Sequence, residues 1–141
     1  DFAIVARTDV RTNYGLDEAL RRGEAFAKAG ADVLFIESPE SVEEMEKICA
    51  AFDKPLLVNV VEGGKTPVLS AEEYTELGYS MAIYPGTGFL AMGAALRSVY
   101  GRLKETGSSK GASQKLDDFG AFSRTMGFGD VWDFEKAHAQ D

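Results

Sequence analysis

Three apolar segments of the chain each run directly into polar side chains. These segments, with the polar residues that follow them, are 2–6 with Arg7 and Asp9, 33–36 with Glu37, and 55–58 with Asn59. Short runs rich in Val and Ile are typical of strands buried on both faces. Since parallel strands end at one edge of a sheet, where α/β proteins hold their active sites, we predict that these polar side chains converge.

Each of these side chains suits a step in the chemistry of small acids. The guanidinium of Arg7 is a natural fork for a carboxylate or phosphonate. Glu37 could move a proton or orient a metal-bound water, and Asn59 could donate a hydrogen bond to a developing oxyanion. The alternative is that Arg7 and Asp9 form a structural salt bridge and that Glu37 caps the next helix. Three such residues at matching strand ends favour the functional interpretation.

Other motifs carry less chemistry. The loop 62–67, read EGGKTP, joins two glycines to a proline and could move over a substrate or simply form a turn. Its adjacent glycines do not have the Walker spacing of a phosphate-binding loop, and Gly86 and Gly88 lack the third glycine of a dinucleotide motif. His138, the single histidine, lies far along the chain from the strand ends, and we expect it at the surface.

Apolar spacing and capping signals predict an alternation of strands and helices. The predicted strands are 2–9, 31–36, 55–58 and 79–84; the predicted helices are 16–29, 41–52, 70–77, 87–106, 116–126 and 129–138. Ser41 with Glu44, and Ser70 with Glu73, have the spacing of capping boxes. Residues 10–14 read as a polar loop. The spacing of the strand starts suits consecutive right-handed βαβ units with adjacent parallel strands.

Four such strands fit a small open sheet or half of a (β/α)₈ barrel, which typically needs about 250 residues. An open sheet needs a polar edge, yet the first segment is apolar up to Arg7. We therefore expect an α/β fold in which residues 1–107 are the second half of a barrel, with the first half upstream of Asp1. Residues 108–141 would be a helical extension, whose Val131, Trp132 and Phe134 must pack on another surface.

Composition excludes several classes of protein. The 141 residues carry a net charge of −8 without a basic cluster, which argues against a nucleic-acid partner. Cys49 is the single cysteine, so there is no internal disulfide and no CxxC motif. No apolar run approaches the roughly 20 residues that cross a bilayer, and no secretory signal is present. We expect a cytoplasmic protein without a membrane partner.

Several linked motifs resemble one superfamily. ARTD at 6–9, FIE at 35–37, VNVVEGGKTP at 58–67 and the pair Tyr84-Pro85 resemble the isocitrate lyase and phosphoenolpyruvate mutase superfamily. The resemblance implies a (β/α)₈ barrel that makes or breaks a bond next to a 2-oxo acid, through an enolate or related oxyanion stabilised by Mg²⁺, or by Mn²⁺ in its place. It also implies a homotetramer whose last helices are exchanged between subunits.

The resemblance implies a role for individual residues. Arg7 would contact the substrate carboxylate or oxyanion, Asn59 and Pro85 would contact the substrate, and Glu37 would hold the metal through water. Two supporting residues match the motifs, namely Asp9 and Glu62. The direct metal ligands and the gating loop of the superfamily precede ARTD, so we expect them upstream of Asp1 and expect residues 1–141 alone to be inactive.

One departure bears on the substrate. Members that cleave methylisocitrate carry an arginine where this chain has Leu90, and a buried carboxylate without a cation is costly. The resemblance therefore implies a carbon-carbon lyase for a small 2-hydroxy or 2-oxo dicarboxylate, similar to dimethylmalate lyase or oxaloacetate decarboxylase. The alternatives are carbon-phosphorus chemistry, as in phosphoenolpyruvate mutase or phosphonopyruvate hydrolase, and a catalytically dead barrel used as a binding module.

Overall fold

The computed structural model describes residues 2–111 and 115–139. It divides into two compact units, Asp1–Ala91 and Met92–Asp141. In chain order the elements are β1 (Val5–Thr8), α1 (Arg11–Tyr14), α2 (Leu16–Lys28), β2 (Val33–Ile36), α3 (Val42–Ala51), β3 (Leu57–Asn59), α4 (Ala71–Leu77), β4 (Met81–Ile83), α5 (Thr87–Thr106), α6 (Phe119–Thr125) and α7 (Phe128–His138). The α/β class is as predicted.

The strands of the first unit run in one direction. β1 pairs in parallel with β2, with Arg7 opposite Phe35, and β3 pairs in parallel with β4. A parallel bridge between Leu34 and Leu56 joins the two pairs, and the Leu34 amide donates to the Pro55 carbonyl at 3.0 Å. The order β1-β2-β3-β4 therefore follows the sequence, as predicted, and all four strands end at the same edge.

The central strands lie in the hydrophobic core. All four residues of β2 are buried, and helices α2 and α3 contribute Ala19, Met45 and Ile48 to the same cluster. This burial follows from sequence, because β2 has only apolar residues and the facing helices present apolar stripes. The core thus fixes the positions from which the carboxyl ends of β2 and β3 project.

The outer strands are more exposed than the central ones, and β1 differs from the prediction of burial on both faces. In β1, Val5 and Arg7 are exposed while Thr8 is buried, and all three residues of β4 are exposed. The prediction was wrong for β1 because this strand, like β4, has a neighbouring strand on one side only in the described sheet. β1 also alternates: Ala6 packs against the core, and the residues on either side of it face away.

The structure also differs from two local predictions, the loop at 10–14 and the capping box at Ser41. Residues 11–14 form the short helix α1 rather than a loop, because the amides of Asn13 and Tyr14 both bond to the carbonyl of Val10, which is buried. The capping box predicted at Ser70 is complete. The one predicted at Ser41 is half formed: the Ser41 hydroxyl accepts from the Glu44 amide, but the Glu44 carboxylate accepts from the Glu40 amide instead.

The second unit contains α5 from Met92 onward, together with α6 and α7. Helix α6 begins at Phe119, later than predicted, because the Asp118 carboxylate caps it by accepting from the Ala121 amide at 2.7 Å. Val131, Trp132 and Phe134 are all more than one-third exposed within this chain. Within residues 2–111 and 115–139, no helix is long and apolar enough to span a membrane. The division of the chain into two units falls within α5, and the domain boundary at residue 107 stays a prediction.

Candidate active site

The parallel sheet brings three of the predicted site residues together. The Asn59 amide donates to Glu37 Oε1 at 3.1 Å, and Arg7 Nη2 lies 3.6 Å from Glu37 Oε2. These side chains come from the ends of β1, β2 and β3, and Asn59 is the last residue of its strand. The Glu37 side chain is only 15% exposed. A carboxylate held between a cation and an amide donor is therefore the centre of the cluster.

Two acceptor atoms of this cluster have no hydrogen-bond partner within the described residues. They are Glu37 Oε2 and Asn59 Oδ1, and both are buried. Buried polar atoms are normally hydrogen-bonded, so an orphaned acceptor marks a place that a ligand or water completes. A cavity of about 240 Å³ adjoins both side chains. The remaining residues that line it are Ser38, Val61, Gly64, Lys65 and Thr66.

Arg7 also takes part in the salt bridge that the alternative interpretation foresaw. Its guanidinium donates to both oxygens of Asp9, from Nη2 at 2.7 Å and from Nε at 3.1 Å. This pairing raises the pKa of Arg7 and lowers that of Asp9. The guanidinium also lies 4.7 Å from the centroid of the Phe35 ring, a cation–π distance. Asp9 and Phe35 therefore hold Arg7 in position, while half of its side chain stays accessible.

The turn after β2 positions Glu37 and was not found from sequence. Ser38 has φ +58°, a left-handed conformation that is uncommon outside glycine, and Pro39 beyond it is fully buried. The Ser38 hydroxyl donates to Glu37 Oε1 at 3.3 Å. Glu37 does not cap the following helix, because Ser41 does so. Strained non-glycine residues often occur beside functional sites, but the sequence itself gave no signal of this one.

The glycine-containing loop borders the cavity and is tethered on two sides. The Thr87 hydroxyl donates to the Glu62 carboxylate at 2.6 Å, which lowers the pKa of Glu62. Lys65 Nζ pairs with Glu40 Oε1 at 3.1 Å. Gly63 adopts φ +77°, so the turn uses the conformational freedom of glycine. Glu62 thus contacts the start of α5 rather than the Arg7–Glu37–Asn59 cluster.

The remaining predicted residues lie apart from the cluster. Pro85 follows β4 at the same edge of the sheet and is exposed. His138 is exposed in the second unit, where it stacks on Phe134, which agrees with the expected surface position. Cys49 packs against the core, and burial raises the pKa of its thiol to about 11. A thiol in that state is not a nucleophile at neutral pH.

A second ionic cluster lies close by and was missed by sequence reasoning. Arg11 donates to both oxygens of Glu44, at 2.7 and 3.0 Å, and also pairs with Glu40. The Arg11 side chain is only 14% exposed. Arg11 holds the pKa values of Glu40 and Glu44 below their usual range. The signal was present as an arginine two residues after ARTD, but the partners lie about thirty residues away and only folding brings them together.

The cavity at the strand ends is not the largest one. A more open cavity of about 540 Å³ lies among α1, α2 and α3 and contains none of the strand-end residues. We assign the site to the smaller cavity because it adjoins the orphaned acceptors. The residues described by the structure contain no group of three or more His, Cys, Asp or Glu that could hold a metal directly. Glu37 Oε2 and Asn59 Oδ1 do fit a hydrated divalent cation, because bound water donates hydrogen bonds to such acceptors.

Comparison with known proteins identifies the family of this chain. A family model described as phosphoenolpyruvate phosphomutase matches residues 1–104. The chain is 41% identical to 2,3-dimethylmalate lyase of Eubacterium barkeri over 139 residues, which cover 99% of this chain and 48% of that protein. It is 42% identical to 2-methylisocitrate lyase of Bacillus subtilis (strain 168) over 107 residues, which cover 76% of this chain and 36% of that protein.

The fold agrees with the sequence comparison. A crystal structure of 2,3-dimethylmalate lyase, a member of the PEP mutase/isocitrate lyase superfamily, superimposes with a TM-score of 0.84 at 31% identity. The match covers 96% of this chain and 47% of that one. The chain thus spans about half the length, or less, of these relatives. It belongs to the phosphoenolpyruvate phosphomutase family, within the PEP mutase/isocitrate lyase superfamily, as its motifs predicted.

Proposed function

We propose that this chain carries part of the active site of a cytoplasmic, Mg²⁺-dependent lyase, which cleaves a carbon-carbon bond in a small 2-hydroxy or 2-oxo dicarboxylic acid. The observation that carries the proposal is the Arg7–Glu37–Asn59 cluster with its two orphaned acceptors beside a cavity. A cation for an anionic substrate and acceptors for hydroxyl or water are what such a reaction requires.

Each residue has a role that follows from its contacts. Arg7 binds a substrate carboxylate or the developing oxyanion with the guanidinium face that Asp9 leaves accessible. Glu37 Oε2 and Asn59 Oδ1 accept from the substrate hydroxyl or from metal-bound water. Mg²⁺, or Mn²⁺ in its place, would supply Lewis-acid stabilisation of negative charge, held by Glu37 through water and by ligands outside this chain. Pro85 would line the substrate site.

The residue at position 90 favours a small substrate. Leu90 lies in the first turn of α5, where its amide donates to the Gly86 carbonyl at 2.8 Å. Its side chain and that of Val61 both approach Gly86, within 3.6 Å of where a Cβ would lie. This apolar pair offers no cation for a third carboxylate, and it suits a dimethylmalate-like acid better than a tricarboxylate. The identities to the two relatives are nearly equal, so this residue is the better guide to substrate.

A second candidate is chemistry on a carbon-phosphorus bond. The matching family model bears the description of a phosphomutase, and a guanidinium such as Arg7 binds phosphonate as readily as carboxylate. A third, the catalytically dead binding module, is disfavoured because Arg7, Glu37 and Asn59 are all present and in contact. The proposal includes the architecture: we propose that residues 1–107 supply half of a (β/α)₈ barrel.

The exposed apolar side chains of the second unit support a proposed assembly. Phe119, Phe122, Phe128 and Trp132 line an apolar groove on α6 and α7. We propose that residues 108–141 are exchanged between subunits of a homotetramer, which would bury this groove. Deletion of residues 129–141 should then convert the tetramer to smaller species, which light scattering would detect as a lower mass of the assembly. An unchanged mass would contradict the exchange.

One experiment tests the function directly. The full-length gene product that carries this sequence is incubated with Mg²⁺ and a panel of 2-hydroxy acids, 2-oxo acids and phosphonopyruvate, and products are identified by mass spectrometry. We expect a 2-oxo acid such as pyruvate from a branched malate, and loss of turnover with EDTA. Pyruvate from oxaloacetate alone would indicate decarboxylation. Phosphoenolpyruvate, or pyruvate with phosphate, formed from phosphonopyruvate alone would select carbon-phosphorus chemistry, and no turnover at all would contradict an enzymatic role.

A further inference from the structure

Lys65 lies near the site, and its positive charge is balanced by fewer acidic partners than that of Arg7 or Arg11. Among the described residues its ammonium has one carboxylate partner, Glu40 Oε1 at 3.1 Å, and the side chain is 58% exposed. The same Glu40 oxygen also pairs with Arg11. Arg11 in turn has two further bonds to Glu44. Loss of the Lys65 contact would therefore leave Glu40 paired, so Lys65 can leave this acid at small cost.

Lys65 also borders the cavity. Among the described residues that line the cavity beside Glu37 and Asn59, it is the one with a positive charge. Arg7 approaches the same carboxylate of Glu37 but does not line that cavity, and Arg11 is held by three acid contacts. A substrate with two carboxylates brings two negative charges next to Glu37. A single arginine that already pairs with Asp9 does not balance them.

We propose that Lys65 is a specificity-determining residue, which leaves Glu40 to bind the second carboxylate of a dicarboxylate substrate whose first carboxylate is at Arg7. The flexible four-carbon stem of lysine and its three donors suit such an exchange of partners. The inference rests on the proposed function, since it takes the substrate to be a small dicarboxylate. The Lys65–Glu40 pair is then the resting position of the ammonium in the free protein.

The test compares two acids that differ in the second carboxylate. Malate and lactate share the 2-hydroxy acid group, and lactate lacks the far carboxylate. Binding of each to the full-length gene product with Mg²⁺ is measured by calorimetry for the wild type, K65M and E40Q. We expect K65M to weaken malate binding about 10-fold, the typical effect of losing one charged hydrogen bond, with lactate binding unchanged within about 2-fold. E40Q should bind malate at least as well as the wild type.

Different results would overturn the proposal. If Lys65 acts only as a structural tether of the loop, K65M and E40Q weaken both acids alike. A wild type that binds malate no more tightly than lactate would also contradict it. Since Lys65 and Glu40 are at the surface, thermal unfolding should confirm that both variants fold. The binding readout is independent of turnover: selective loss of malate binding in K65M without product from any acid would retain the role of Lys65 while rejecting the lyase.

Discussion

Arg7 and Arg11 lie four residues apart and belong to clusters with opposite properties. Arg11 is nearly buried and its hydrogen bonds go to two glutamates of the same fold, with both oxygens of Glu44 engaged. Arg7 keeps 46% of its side chain exposed, pairs with its near neighbour Asp9, and approaches a Glu37 oxygen that has no hydrogen bond. The hydrogen bonds of Arg11 are taken up by the fold, whereas Arg7 stays partly accessible next to Glu37.

The difference indicates how polar groups divide between stability and function in this protein. A buried network whose members are all hydrogen-bonded stabilises the folded state, whereas a buried acceptor without a partner destabilises it. The cluster around Glu37 therefore carries a cost that a ligand would remove. Four predictions test whether the two clusters really separate in this way, and all use the full-length gene product.

The largest effect is expected for R7K. Lysine keeps the charge but loses the planar fork that pairs with Asp9 and that, in the proposed function, binds a substrate carboxylate, so kcat/KM should fall by about 10³-fold. The melting temperature should change little, because Arg7 is half exposed. Steady-state kinetics and thermal unfolding measure both quantities, with R21K on the surface of α2 as the matched control. A loss of stability without a loss of activity would reverse the assignment of the two arginines.

E37Q separates activity from stability at the centre of the site. Glutamine keeps the shape but removes the negative charge, so turnover should fall by about 10²-fold. The free energy of unfolding should change by less than about 1 kcal/mol, because the lost attraction to Arg7 is offset by the lower desolvation cost of a neutral side chain at this mostly buried position. Urea unfolding and kinetics measure the two effects, and E24Q on α2 is the control. A loss of several kcal/mol would show that Glu37 is structural.

R11M should lower the stability of the protein and leave its activity nearly unchanged, the converse of R7K and E37Q. It removes the bonds to Glu40 and Glu44 and leaves the partly buried Glu44 carboxylate without a cation, so the free energy of unfolding should fall by about 2 kcal/mol. The kcat of the folded protein should stay within about 3-fold of the wild type. R21M, which breaks an exposed pair with Glu18, should cost no more than about 0.5 kcal/mol. Equal effects of R11M and R21M on urea unfolding would contradict a structural role for Arg11.

The smallest effect is a pH dependence of the stability that Arg11 contributes to the folded protein. Because Arg11 lowers the pKa of Glu40 and Glu44 in the folded state, their contribution is fully present above the usual glutamate pKa of about 4.3. It is lost as the pH falls below that value toward the lowered pKa. The stability difference between wild type and R11M should therefore be smaller at pH 3 than at pH 7. Urea midpoints at both values test this, and a constant difference would exclude the ionic origin.

Much of the fold was predictable because the local signals agreed. Apolar runs and capping residues located the four strands and most of the helices, and the order of the strands followed from their spacing. The prediction of burial on both faces failed for the outer strand β1. Apolarity indicates that a strand can be buried, but whether β1 and β4 are covered depends on which chain segments lie beside them. The half-formed capping box fails for a related reason, since Arg11 competes for Glu44.

The sequence by itself determined the parallel order of the strands and the identity of the polar residues at their ends, because strand period, apolar runs and motifs are local properties of the chain. Only the tertiary structure decided which partners those residues take. The contact between Glu37 and Asn59, beside their orphaned oxygens, and the Arg11 network join residues 22 and 33 positions apart. Such contacts leave no local pattern, because they form only when the core brings the strand ends together.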